Sequence, residues 1–124
     1  MFDLRYDPLD SLALAFQGII RNFIGGYRMI GSLDLGLKDK VAIVAGGGAA
    51  GQGIGNGRAA SILLAEAGVK VIVADRDEVL ANNTVQMIKD RGGEALGIGG
   101  DLTQSDQCKK VVDFAINNWG RLDI

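Results

Sequence analysis

Two rhythms of hydrophobic and polar positions divide the chain near Lys40. Between Asp10 and Tyr27 the apolar residues Leu12, Phe16, Ile19, Ile20, Phe23, Ile24 and Tyr27 recur at helical spacing. The spacing predicts an amphipathic helix, opened by Asp7 and Pro8 and closed by Gly25 and Gly26. Docking on the parent fold or on a second subunit suits such a helix. Membrane contact is disfavoured, because its polar face lacks the lysines and arginines that attract anionic lipid. After the polar connector GSLDLGLKDK, short apolar runs alternate with helical periodicity. VAIVA (Val41–Ala45) and VKVIVA (Val69–Ala74) read as strands covered on both faces, and EALGIGG, leading to Asp101, as a third strand weakened by glycine. Ile54, Ala59, Leu63, Leu64 and Ala67 predict a helix that ends at Gly68, and Val79, Leu80 and Ile88 a second from Glu78 to Asp90, stopped by Gly92 and Gly93. The most regular stripe is Cys108, Val111, Val112, Ala115, Ile116 and Trp119, a third helix capped by Thr103 or Ser105 and ended by Gly120. Leu122 and Ile124 of RLDI begin a fourth strand, inside which the sequence stops. This alternation predicts an α/β fold with right-handed crossovers and a doubly wound parallel sheet, truncated within its fourth strand.

Composition narrows the chemistry. Thirteen basic and fifteen acidic residues, with no histidine, give a net charge of -2 and no electrostatic footprint for nucleic acid. The one cysteine, Cys108, excludes an internal disulfide framework and, without histidine, a Cys/His metal cluster. Its place on the third apolar stripe makes it a core residue rather than a nucleophile. A reducing cytoplasm fits this usage. No run approaches the roughly 20 apolar residues of a spanning helix, and the acidic start MFDLRYDPLD is unlike a secretory signal or a transit peptide. Nineteen glycines beside one proline point to close backbone approaches rather than to disorder.

Seven of those glycines fall between Gly46 and Gly57, directly after the first strand. A strand, a glycine turn and a helix in that order put backbone N–H groups and the positive end of a helix dipole at the carboxyl edge of a parallel sheet, where a nucleotide phosphate binds. With no Cβ at Gly53 and Gly55, a pyrophosphate can reach the main chain and the helix can sit close to the strand. Gly46, Gly48 and Gly51 match G-x-G-x-x-G, and Gly55, Gly57 and Ala60 match its G/A variant. A P-loop is disfavoured, because no lysine stands between Lys40 and Lys70. Asp75 ends the second strand about twenty residues beyond Gly55, the spacing of an acid that accepts hydrogen bonds from ribose hydroxyls and repels a 2′-phosphate. NAD is therefore favoured, and Arg76 beside it keeps NADP open. The competing roles are a solvated turn acid for Asp75 and a surface cation for Arg76. Asp101, at the same edge, either borders the adenine or caps the third helix.

Together KVAIVAGGG, GIGNGRAAS, LLAEAGVKVIVADRD, GGEAL, GDLT and WGRLDI resemble, in order and spacing from Leu37 to Ile124, the amino-terminal half of a short-chain dehydrogenase/reductase. The resemblance implies a Rossmann-type domain over 37–124, partial in extent, with residues 1–36 as a helical extension and connector. It implies that Gly46, Gln52, Gly53, Ile54 and Gly55 line the pyrophosphate, that Asp75 takes the ribose with Arg76 beside it, and that Asp101 and Leu102 border the adenine. Two departures stand out: Ala45 replaces the usual threonine, and the loop from Gly46 to Gly53 is about three residues longer than T-G-x-x-x-G-x-G. The GIGNGRA ending is similar to the lengthened loop of the family's enoyl-thioester reductases, which keeps that activity open beside alcohol–carbonyl interconversion. A non-catalytic nucleotide-binding or assembly module is the other alternative. The family's tyrosine with lysine four residues on is not matched, since Tyr6 and Tyr27 are followed at that distance by Asp10 and Gly31. What the resemblance implies is a catalytically incompetent piece of a homo-oligomeric oxidoreductase with a small-molecule substrate.

Overall fold

The structure, a computed structural model, describes residues 35–124. The helix expected between Asp10 and Tyr27 lies outside them. Strands β1 (Val41–Ala45), β2 (Lys70–Asp75) and β3 (Ala95–Gly99) alternate with helices α1 (Asn56–Glu66), α2 (Glu78–Asp90) and α3 (Ser105–Trp119). The strands are parallel in the order β1-β2-β3, with Val41 opposite Lys70 and Val71 opposite Ala95. A central parallel strand is covered on both faces, which is why Val71, Ile72, Val73 and Ala74 of β2 are all apolar and all buried. One face of the sheet, through Ala42, Val71 and Val73, packs on Ile62 and Ala65 of α1 and on Ala81, Val85 and Ile88 of α2. The other, through Val41, Ile72, Ala74 and Ile98, packs on Val111 and Ala115 of α3. Helices on both sides make the sheet doubly wound and Rossmann-type.

Several expected boundaries and faces differ. Helix α1 starts at Asn56, leaving Ile54 70% exposed, and the side chains it buries are Arg58, Ser61, Ile62 and Ala65 rather than a stripe through Ala59 and Leu63. Two polar side chains are tolerated there because each finds a partner inside, Ser61 by donating from Oγ to the Gly57 carbonyl at 2.8 Å. On α2 the apolar Val79 faces solvent while Thr84 is buried, and Asp77 caps the helix by accepting from the Val79 and Leu80 amides. On α3 only Val111 and Ala115 are buried, and Val112 and Ile116 remain exposed. Neither Thr103 nor Ser105 caps α3. Its cap position is Gln104, without a side-chain bond, and Thr103 lies one residue before it, its hydroxyl donating to Asp101. Residues 121–124 form no assigned strand, yet Ile124 donates to the Val41 carbonyl at 3.1 Å and accepts from the Ile43 amide at 2.9 Å, the parallel pattern beside β1.

Ile72 is wholly buried between β2 and α3. Ile72→Ala is expected to lower stability by about 2–5 kcal/mol in urea unfolding, and a loss below about 1 kcal/mol would contradict this packing.

Candidate functional site

Parallel strands expose their carboxyl ends at one sheet edge, and here that edge opens on a cleft of about 400 Å³. Gly46 after β1, Asp75 and Arg76 at the end of β2, and Asp101 and Leu102 after β3 all line it, with Ala45, Ala74, Gly100 and Thr103. Five of the residues singled out by sequence thus meet in one place. Gln52, Gly53, Ile54 and Gly55 do not line this cleft; they form the exposed end of the glycine loop, and Gly55 is the N-cap residue of α1. No side chain caps α1, so its first-turn amides and the positive end of its dipole are left for another acceptor.

Asp75 is tied to the main chain at both oxygens. Its Oδ2 accepts from the Gly48 amide at 3.0 Å and its Oδ1 from the Asp77 amide at 3.0 Å, and each oxygen keeps a lone pair for a further donor. Asp101 turns back on its own loop: Oδ1 accepts from the Thr103 hydroxyl at 2.8 Å and from the Thr103 amide at 3.0 Å. The hydroxyl bond first, then the amide bond, and in lesser part the Arg76 charge, hold the Asp101 carboxyl below the ordinary aspartate value. Helix capping by Asp101 is therefore not what the structure contains. Cys108, half-buried rather than deep in the core, donates its thiol to the Leu102 carbonyl at 3.1 Å and so fixes the main chain at the cleft's rim.

The glycine that brings α1 against the loop is neither Gly53 nor Gly55. A Cβ at those positions meets only ordinary contacts, at 3.6 Å from the Ala50 carbonyl and 3.7 Å from Ala49. At Gly57, in the first turn, a Cβ would run into the Gly46 carbonyl. Sequence reasoning also passed over Arg58 and Thr84, both fully buried. Arg58 donates from Nε to Thr84 Oγ1 at 3.0 Å, from Nη1 to the carbonyls of Gly51 at 3.0 Å and Gly53 at 2.6 Å, and from Nη2 to that of Ala49 at 2.7 Å. Thr84 in turn donates to the Gly47 carbonyl at 2.8 Å. The signal was present: Arg58 is the sole basic residue between Lys40 and Lys70.

Residues 40–124 match the family model for short chain dehydrogenase, and the chain belongs to that family. It is 36% identical over 96 residues to 7alpha-hydroxysteroid dehydrogenase of Escherichia coli, covering 77% of this chain and 36% of that protein. It is 43% identical over 89 residues to a probable tetrahydroxynaphthalene reductase of Zymoseptoria tritici, covering 71% and 32%. The chain spans about a third of the length of the first curated relatives it matches. A shorter relative, the short-chain dehydrogenase/reductase homolog YusS of Bacillus subtilis, is 36% identical, with 69% of this chain and 75% of that protein aligned. Among solved structures, a hydroxysteroid dehydrogenase from Escherichia coli aligns with a TM-score of 0.66 at 36% identity, over 71% of this chain and 35% of that one. A short chain dehydrogenase/reductase from Burkholderia phymatum in complex with NAD aligns at 0.63 and 30%, over 69% and 29%.

Two outcomes are expected. In urea unfolding Gly57→Ala should cost more than Gly53→Ala by about 1 kcal/mol or more, and equal costs would contradict the close approach at Gly46. Because the folded value for Asp101 is depressed, its contribution to stability is present above the unfolded value of 3.8 and is lost as pH falls through the lower folded one. Thr103→Val should move the Asp101 carboxyl titration, followed by carbon NMR, upward; an unmoved midpoint would contradict the hydroxyl's role.

Proposed function

We propose that residues 37–124 supply the adenosine and pyrophosphate half of an NAD(P) site in an oxidoreductase that interconverts an alcohol and a carbonyl on a small molecule, with NAD the favoured form. One observation carries this: a carboxylate at the end of β2, a glycine at the end of β1 and the loop after β3 line a single cleft beside an α1 start without a side-chain cap. The donor set fits the cofactor. Asp75 retains acceptor capacity for ribose hydroxyls, and its charge, close to where a 2′-phosphate would lie, disfavours NADP, while Arg76 at the rim weakens that discrimination. Asp101 and Leu102, held by Thr103 and Cys108, border the adenine. Exposed amides of the loop ending at Gly55 and of the first turn of α1 take the diphosphate.

When bound, the nicotinamide supplies the carbon that gives or accepts a hydride. The part of residues 37–124 in that chemistry is to anchor the cofactor's far end, so that binding energy there orients the reacting ring. Residues 1–36 serve as a docking extension, and the working enzyme is a homo-oligomer that acts on a small substrate.

Calorimetric titration of NADH into the purified chain tests this. Binding is expected, with Asp75→Asn weakening NADH by about tenfold and narrowing the preference over NADPH, since asparagine keeps an acceptor for the Gly48 amide but loses the charge. A chain that binds neither NADH nor ADP contradicts it.

A further inference from the structure

Arg58 is fully buried, yet no carboxylate among the described residues pairs with it. Its charge is solvated by carbonyl dipoles and one hydroxyl: Ala49, Gly51, Gly53 and Thr84. The three carbonyls alternate along the loop. In a planar trans peptide the N–H points opposite to the C=O, and no cis peptide occurs among the described residues. Each carbonyl drawn inward to the guanidinium therefore sends the next residue's amide outward. Those amides belong to Ala50, Gln52 and Ile54, all exposed and without an acceptor among the described residues.

Resting on the cofactor reading above, we propose that Arg58 is the positioning residue of the diphosphate site. By drawing the carbonyls of Ala49, Gly51 and Gly53 inward, it presents the amides of Ala50, Gln52 and Ile54 as a set of anion donors and keeps one buried positive charge behind them. A loop about three residues longer than the common pattern has more conformational freedom to lose on binding, and a fork that grips alternate peptides removes that freedom in advance. Lysine cannot substitute fully, because its point charge does not reach three carbonyls and a hydroxyl in one plane. The inference also gives a role to Thr84, whose hydroxyl accepts from Arg58 Nε and donates to the Gly47 carbonyl, tying the fork to α2 and to the start of the loop.

Binding of ADP and of adenosine to the full chain, followed by amide NMR, tests the proposal, because only ADP carries the diphosphate. In the unmodified protein ADP should shift the amides of Ala50, Gln52 and Ile54 and the Arg58 Nε–H, and adenosine should leave them in place. Arg58→Met should weaken ADP by about tenfold or more with little change for adenosine, and Arg58→Lys should recover only part of the loss. Unmodified protein that binds neither NADH nor ADP overturns the cofactor reading and this inference together. ADP affinity that is the same in Arg58→Met as in the unmodified chain overturns the inference alone, and full recovery by Arg58→Lys overturns the role of the fork. Should Arg58→Met fail to fold, the unmodified chain decides: loop amides and an Arg58 Nε–H indifferent to ADP refute the proposal.

Discussion

Carbonyl groups that face into a protein need donors, and a glycine-rich loop has few side chains to provide them. In this chain one buried guanidinium, brought up from the next helix, gathers the carbonyls of Ala49, Gly51 and Gly53, while Thr84 holds that of Gly47. The loop's shape follows from that network. Helix α1 can carry the guanidinium close enough only because Gly57 lacks a side chain where its first turn meets the Gly46 carbonyl. Removing either feature leaves the loop free to adopt many conformations, and the sheet edge would lose this loop geometry while keeping its core.

That core sets where the loop stands. With β2 buried on both faces, the sheet has α1 and α2 on one side and α3 on the other, so the loops that follow all three strands emerge at a single edge. Asp75 and Asp101 reach the same cleft because β2 and β3 are paired in register, Asp75 opposite Gly99. Asp75 also crosses back to β1's loop through the Gly48 amide, so the carboxylate that ends β2 helps to shape the neighbouring glycine loop. Fold, loop and cleft thus depend on a short list of residues, all within the segment 40–124 that matches the short chain dehydrogenase family.

Much of this was legible in the sequence. The strands were readable because a doubly covered strand must be continuously apolar, as VIVA is, and the cleft residues because parallel strands deliver their carboxyl ends to one edge. Hydrophobic periodicity misplaced the inner face of α1, since it assumes that polar side chains face water, whereas Arg58 and Ser61 are buried against backbone carbonyls. Gly57 was read only as part of a motif match, and the close approach was given to Gly53 and Gly55, for a related reason: spacing patterns rank glycines by motif position, and only the fold reveals which one meets another backbone. The Thr103 cap failed because α3 begins at Ser105, which puts the cap position on Gln104, while Thr103 belongs to the turn that Asp101 closes before it. Relatives at 36–43% identity support the family assignment, and the substrate chemistry in their names belongs to proteins of which the aligned residues cover only about a third.

Hydrogen exchange of the full chain with and without NADH tests the central claim most directly, because it reads every backbone amide at once. Protection is predicted at two places only: the loop from Gly46 to Gly57, and the sheet-edge residues 75–76 and 100–102. Protection centred on the opposite edge of the sheet, around Glu66 and Arg91, or an unchanged pattern at saturating NADH, would contradict it.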